Sequence, residues 1–248
     1  MTLERNKKQW TDLGRLDPFW AMTGTNRFNS WDVETFLQTG DQQVAELMMQ
    51  ASTIGLPSQK KSVLDFGCGV GRLARGFRNH FRHYVGLDIS EPLIVKAEEI
   101  HDGLPNTEFA PGSSEALPTL ADESFDMVHS WGVLQHIADR SIVQHILHEF
   151  VRLVRSEGLI VFSVLHDIKI PYRLQPRRRL YALLKAVGVS EVTLYQRLKL
   201  YPQEVHFIPE SQVIGFLQDA GAQVLKVVSA AQPSDPHQVR IYFATKQR

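Results

Sequence analysis

The segment Val63-Leu64-Asp65-Phe66-Gly67-Cys68-Gly69-Val70-Gly71-Arg72-Leu73 constrains the fold of this chain more than any other. An apolar run gives way to an acid, and glycines then recur at alternate positions. Without a Cβ, glycine reaches backbone conformations closed to other residues and lets the main chain lie against a bulky ligand before a helix begins, here expected at Arg72. Strand, glycine turn and helix in that order read as a loop for a nucleotide-type cofactor. The spacing G-x-G-x-G departs from the dinucleotide fingerprint G-x-G-x-x-G. Asp65 puts a carboxylate where a pyrophosphate would sit, so a cationic cofactor is favoured over an anionic one. A second short strand, within residues 81–90, ends in Asp88, and an acid at that point can accept both hydroxyls of a ribose.

From 61 to 165, β-rich runs (62–66, 83–87, 107–110, 125–130, 158–165) alternate with helical segments (72–80, 91–101, 140–153). This alternation predicts a parallel sheet with crossover helices. Ligands of such sheets bind outside the carboxyl ends of the strands, where Asp65, Asp88, Ser113 and Ser130 all fall. Further on, 209–220 reads as a helix stopped by Gly221, followed by strands over 223–228 and 238–245 joined by the turn-rich AQPSDPHQ.

With Asp65, the three glycines and Asp88 in this order, the chain resembles the class I S-adenosylmethionine-dependent methyltransferases. Gly112-Ser113-Ser114-Glu115-Ala116-Leu117-Pro118 is similar to the family segment G-D-A-E-x-L-P after the third strand, with Ser113 at the usual Asp. Ser124-Phe125-Asp126-Met127-Val128-His129-Ser130-Trp131 resembles the fourth strand, and Val133-Leu134-Gln135-His136-Ile137 the turn into the next helix. The run from Arg152 to Phe162 resembles the family's R-V-L-K-P-G-G turn and fifth strand, with Ser156 and Glu157 replacing the proline and first glycine. The likeness is tight over 60–165 and looser over 207–246.

The resemblance implies an α/β fold: a Rossmann-like, seven-stranded, mostly parallel sheet with helices on both faces and an antiparallel last strand. It implies S-adenosylmethionine as cofactor and S-adenosylhomocysteine as product. The residues it assigns to the cofactor are Asp65, Gly67, Cys68, Gly69, Gly71, Asp88, Ile89, Ser114, Glu115, Ser130 and Trp131. A sulfonium and an ammonium without phosphate suit the acidic loop.

At 248 residues the chain can bury one substantial core. We expect one structural domain. It comprises an N-terminal helical cap over 1–58, the cofactor-binding α/β core over 59–165, a basic helical insertion over 166–206 acting as a substrate lid, and a helix and β-hairpin over 207–248 completing the core. Hydrophobic content of 43%, with no apolar run near the roughly 20 residues of a membrane helix, predicts a soluble protein. The N-terminus MTLERNKKQW has no apolar segment after its charges, so a cytoplasmic location is expected. The single Cys68 reads as a small packing residue of the loop rather than a nucleophile.

Formal charge is zero overall but uneven. Between residues 169 and 199 stand Lys169, Arg173, Arg177, Arg178, Arg179, Lys185, Arg197 and Lys199 against Glu191 alone. Leu180, Leu183, Leu184 and Val187, then Leu194 and Leu198, recur at helical spacing and predict two short amphipathic helices separated near Gly188. Three arginines at a helix start oppose the dipole. Either they are simply solvated, or they meet an anionic partner: a phosphorylated or carboxylated substrate, a carrier-protein arm or an anionic membrane surface.

Methyl transfer from a sulfonium is an in-line displacement on carbon, so the protein holds the nucleophile close and, for a hydroxyl or ammonium, removes its proton. His136 stands where related small-molecule O-methyltransferases project a histidine toward the acceptor, and an unperturbed imidazole titrates near neutral pH. The alternative is a histidine that only lines the cleft, with Asp139 as its orienter or as a helix cap. Trp10, Phe19, Trp20, Phe28 and Trp31, with Arg27, form either a hydrophobic staple or a wall of the substrate pocket. Trp20, Arg27, His166 and Arg173 are the substrate-binding candidates, with His206 also near the cleft. His145 and His148 share a helix face without a third ligand, so no metal is expected.

The activity implied is transfer of a methyl group to an oxygen or nitrogen of a small-molecule acceptor, with an anionic acceptor compatible with the basic insertion. Lipid or quinone methylation at a membrane surface, and a non-catalytic S-adenosylmethionine-binding module, are the alternatives. DNA is not an expected partner, because Ser130-Trp131-Gly132-Val133 stands where nucleic-acid methyltransferases carry N-P-P-Y or D-P-P-Y. The basic cluster by itself leaves RNA open.

Overall fold

The computed structural model describes residues 3–23, 30–169, 174–230, 235 and 237–247. Its strands are β1 (Ser62–Phe66), β2 (His83–Asp88), β3 (Thr107–Pro111), β4 (Phe125–Ser130), β5 (Val154–Ile168), β6 (Ala222–Ser229) and β7 (His237–Lys246). They form one sheet in the order β3-β2-β1-β4-β5-β7-β6. The first five pair in parallel, whereas β7 runs antiparallel to both β5 and β6. This is the sheet that the alternating runs and the closing hairpin predict. Every residue of β1 and β4 is buried, as expected of central parallel strands covered on both faces.

Eight α-helices accompany the strands among the described residues: α1 (Leu3–Leu16), α2 (Pro18–Thr23), α3 (Val33–Ile54), α4 (Ala74–Arg78), α5 (Glu91–Ile100), α6 (Arg140–Leu153), α7 (Pro176–Ala186) and α8 (Glu210–Asp219). Successive strand residues point to opposite faces, and the core divides accordingly. Leu64, Phe66 and Val128 pack with Phe150 of α6 and with Val213 and Leu217 of α8. Val63 and Met127 pack on the other face with Val44, Leu47 and Met48 of α3 and Phe77 of α4. A third cluster joins Leu13, Trp20 and Ala21 of α1 and α2 to Tyr181, Leu194, Tyr195 and Leu200 of the insertion.

Local chemistry sets the helix limits. Asp32 caps α3 by accepting from Thr35 N at 2.9 Å, and Gly55 ends it in the left-handed conformation, φ 79°. Within α3, Gly40 allows a close approach that no other residue would: a Cβ there would lie 1.9 Å from the Arg72 carbonyl oxygen. The long helix thus rests directly on the glycine loop. The helix after that loop starts at Ala74 rather than at Arg72 and is shorter than predicted, since the turn through Gly71, φ 72°, must first be completed. β5 begins at Val154, four residues early, because Val154 already pairs with Phe125. In the insertion the first predicted helix forms as α7, while the second is a single π-type turn, Thr193–Arg197.

Two glycine substitutions should have opposite signs in thermal melts. Gly40→Ala overpacks the contact with Arg72 and should cost about 1–3 kcal/mol. Gly215→Ala, in α8 with nothing within 4 Å of the added methyl, should be neutral or stabilise by up to about 1 kcal/mol. Equal effects would contradict the close packing of α3 on the loop.

Candidate active site

The loop after β1 is held in shape by the end of β2. Gly67 N and Cys68 N donate to Leu87 O at 2.7 and 3.0 Å. Gly69 N donates to Asp88 Oδ2 and Ser90 N to Asp88 Oδ1, both at 2.9 Å. Gly67 and Gly69 take φ of 80° and 58°, the left-handed region that a Cβ disfavours. A Cβ on Gly67 would also lie 2.0 Å from Val133 Cγ2, and one on Gly69 would lie 1.7 Å from Met22 Sδ. Burial pushes the Asp88 carboxyl up to about 6; the two backbone donors oppose that rise and the nearby Asp65 adds to it.

A cavity of about 570 Å³ opens at the carboxyl ends of the strands, within the ~300–1,000 Å³ usual for small-molecule sites. From the sheet come Phe66, Gly67, Asp88, Ile89, Gly112, Ser113, Ser114 and Trp131, with Val133 and His136 beyond β4. Asn6 and Trp10 of α1, Trp20, Ala21 and Met22 of α2, and Tyr201, Gln203 and Val205 complete the lining. Of the site residues expected from sequence, Gly67, Asp88, Ile89, Ser114, Trp131, His136 and Trp20 therefore meet around one space.

Other expected residues do not line it. Asp65 is 2% exposed; its Oδ1 lies 2.7 Å from His129 Nδ1 and its Oδ2 accepts from Tyr84 Oη at 2.8 Å. Its neighbours Leu64 and Phe66 pack on the α6 face, so strand alternation sends Asp65 to the α3 and α4 face instead. Cys68 is buried, and burial, helped by the charges of Asp88 and Asp65, holds its thiol well above the usual range. Gly69 and Gly71 are covered by Met22 and by Phe109 with His101. Glu115 is exposed and Ser130 fully buried, the Ser130 hydroxyl having no hydrogen-bond partner among the described residues. His166, on β5, and Asp139 also stand off the cavity; Asp139 caps α6 by accepting from Ser141 N. His206 lines a smaller neighbouring cavity and donates its backbone N–H to Gln135 O. Arg27, Phe28 and Arg173 lie outside the described residues. The aromatic cluster splits: Trp10 and Trp20 reach the cavity, while Phe19 and Trp31 pack edge-on against Phe36.

His136 closes a short 3-10 turn, Leu134–His136. Its Nδ1 lies 2.8 Å from the Glu204 carbonyl oxygen. A carbonyl only accepts, so Nδ1 carries the proton and Nε2 the lone pair of the neutral ring. The edge of Trp10 contacts the ring at 5.0 Å between centroids, and Asn6 Nδ2 donates to His136 O at 3.2 Å. Burial lowers the imidazole to about 4, a fall that the Glu204 bond opposes and the His206 charge reinforces. The sequence expectation of titration near neutral pH is thereby corrected: the ring is neutral throughout the physiological range. Sequence reasoning missed Glu204, whose backbone contact leaves no side-chain signature. It also missed Asn6, although Asn6 stands four residues before Trp10 and shares its helix face. In an NMR titration the His136 ring should change charge near pH 4 from an Nδ1–H tautomer; a midpoint near 6.5 would contradict this geometry.

Residues 63–158 match the family model described as a methyltransferase domain. The ubiquinone biosynthesis O-methyltransferase of Pseudomonas fluorescens is 28% identical over 181 residues, covering 71% of this chain and 69% of that protein. The malonyl-acyl-carrier-protein O-methyltransferase of Erwinia billingiae is 35% identical over 107 residues, covering 43% of this chain and 40% of that protein. In fold, the chain is similar to magnesium protoporphyrin IX methyltransferase from Synechocystis PCC 6803, solved with bound S-adenosylmethionine. The TM-score is 0.60 at 17% identity, over 98% of this chain and 97% of that one. Family model, relatives and fold agree in pointing to the class I S-adenosylmethionine-dependent methyltransferases, with the methyltransferase-domain match confined to residues 63–158.

Proposed function

We propose that this enzyme transfers a methyl group from S-adenosylmethionine to a hydroxyl oxygen of a small, largely apolar acceptor, with His136 taking the hydroxyl proton. The observation that carries this reading is that His136, neutral and fixed as the Nδ1–H tautomer, shares one cavity with Gly67 and Asp88. The residues present suit the cofactor. Each Asp88 oxygen accepts one backbone bond and retains lone-pair capacity for a ribose hydroxyl. Gly67 offers bare backbone, Ile89 and Ser114 border the space for an adenine, and the Trp131 ring offers a π-face to a cation.

When bound, S-adenosylmethionine supplies a methyl carbon made electrophilic by its sulfonium. His136 Nε2 accepts the hydroxyl proton as the oxygen–carbon bond forms and the sulfur–carbon bond breaks, the sulfur keeping the electron pair. The imidazolium then returns its proton to water readily, since burial disfavours its charge. A ring that titrates near 4 is a weak base, which favours a phenolic hydroxyl, of ordinary pKa about 10, over an alkanol. Trp10, Trp20 and Tyr201 supply aromatic walls for such a ring. The quinone-pathway name of the Pseudomonas relative supports this reading. A carboxylate acceptor would need no base.

Asp88→Ala should weaken S-adenosylmethionine binding at least about tenfold by calorimetry. Wild-type affinity should also fall as pH drops below about 6, where the Asp88 carboxyl gains its proton. Affinity independent of both changes would remove Asp88 from the site. His136→Ala should lower kcat by ~10²–10⁴-fold while leaving cofactor affinity intact. The enzyme's own contribution to kcat should stay level between about pH 6 and 9, because His136 is already neutral there. Undiminished turnover in the variant would rule out the base and turn attention to acceptors that arrive ionised.

A further inference from the structure

We infer that the outward face of α7 docks on an anionic lipid bilayer. The helix turns Tyr181 and Leu184 inward onto Trp20, Leu194 and Tyr195. Beside them, Leu180 and Leu183, with Val187 just past the helix end, are 45%, 62% and 70% exposed and follow at i, i+3 and i+7, which makes one stripe. Val192 and Leu198 are exposed shortly after it. Of the ten exposed large apolar side chains among the described residues, six fall between 174 and 198, so this is a concentration and not the usual scatter.

Charge complements the stripe. Lys185 pairs with Glu191 and Arg178 with Glu204. Arg177, Arg179, Arg197 and Lys199 have no carboxylate partner among the described residues, and all but Lys199 are exposed. An apolar face beside unneutralised cations is the pattern of a helix lying in a membrane interface. At 11 residues α7 is too short to cross a bilayer, and no described helix is long and apolar enough to do so. An acidic protein would engage the cations but leave Leu183 and Val187 unexplained. A two-fold contact between copies would set Arg177 and Arg179 against their own equivalents. The bilayer alone satisfies both the apolar stripe and the charge.

The face also communicates with the cavity. Tyr181 stacks on Tyr195 at 5.9 Å and 5°, Tyr195 on Trp20 at 5.6 Å and 26°, and Trp20 lines the cavity. A docked α7 therefore stands one tyrosine away from a cavity wall.

The test is co-sedimentation of the full chain with vesicles of phosphatidylcholine alone, or of three parts phosphatidylcholine to one of phosphatidylglycerol. Binding to the anionic vesicles should be clear at low salt and should weaken as salt rises. Leu183→Glu with Val187→Glu should lose at least about tenfold. Arg177→Ala with Arg179→Ala should lose about fivefold per cation removed. S-adenosylmethionine affinity should be unchanged in all of these, since the substituted side chains stand off the cavity, and melting temperature should be unchanged in the glutamate pair, whose side chains are exposed. No binding at low salt, or equal binding by the glutamate variants, would overturn the proposal. So would a wild-type dimer that Leu183→Glu converts to monomer, or capture of an acidic carrier protein without vesicle binding.

Discussion

Asp88 accepts from Gly69 N with one carboxylate oxygen and from Ser90 N with the other, and the cavity takes its shape from that pair of bonds. Gly69 belongs to the loop that follows β1, and Ser90 opens α5 after β2. One side chain thus ties the ends of two neighbouring strands and keeps the glycine loop in its left-handed conformations. Hydrogen bonds to a charged acceptor contribute roughly 1.5–3 kcal/mol each, and a buried donor left without one carries its full desolvation cost. The same carboxylate faces the cavity. Burial brings it close to protonation, with a value of about 6, and the two N–H donors keep it charged at neutral pH.

Burial acts on His136, the proposed base, in the opposite sense. Trp10 and Asn6 reach His136 from α1, and Glu204 reaches it from the segment before α8. The Glu204 contact fixes the tautomer, and burial keeps the ring neutral but weakly basic. The N-terminal helices consequently line the cavity as well as covering the sheet. Asp65, His129 and Tyr84 form a separate buried network beneath the loop, where paired polar groups meet each other rather than a ligand.

Much of this was legible in the chain. Glycine spacing, strand and helix periodicity and the two acids predict the sheet, the loop and the place of Asp88, because period and turn chemistry are local properties. Local patterns did not tell which way Asp65 points: it sits in the right segment, but the side-chain alternation of β1 turns it away from the cavity. Cys68 was likewise in the loop yet buried against the sheet. His136 was recognisable by position, whereas its depressed pKa depends on Trp10, Asn6 and Glu204, which are 126, 130 and 68 residues away in sequence. Gly40 is a plain helical glycine in the sequence; only its approach to the Arg72 carbonyl reveals why a side chain is excluded there. The basic insertion announced its charge, but not that Leu180 and Leu183 of α7, and Val187 just past it, would remain uncovered beside it.

The most direct test is a crystal structure of the enzyme with S-adenosylhomocysteine. The ribose hydroxyls should rest on Asp88, and the sulfur should face the part of the cavity where His136 Nε2 presents its lone pair. A ribose held away from Asp88, or a sulfur directed at a wall that excludes His136, would contradict the account.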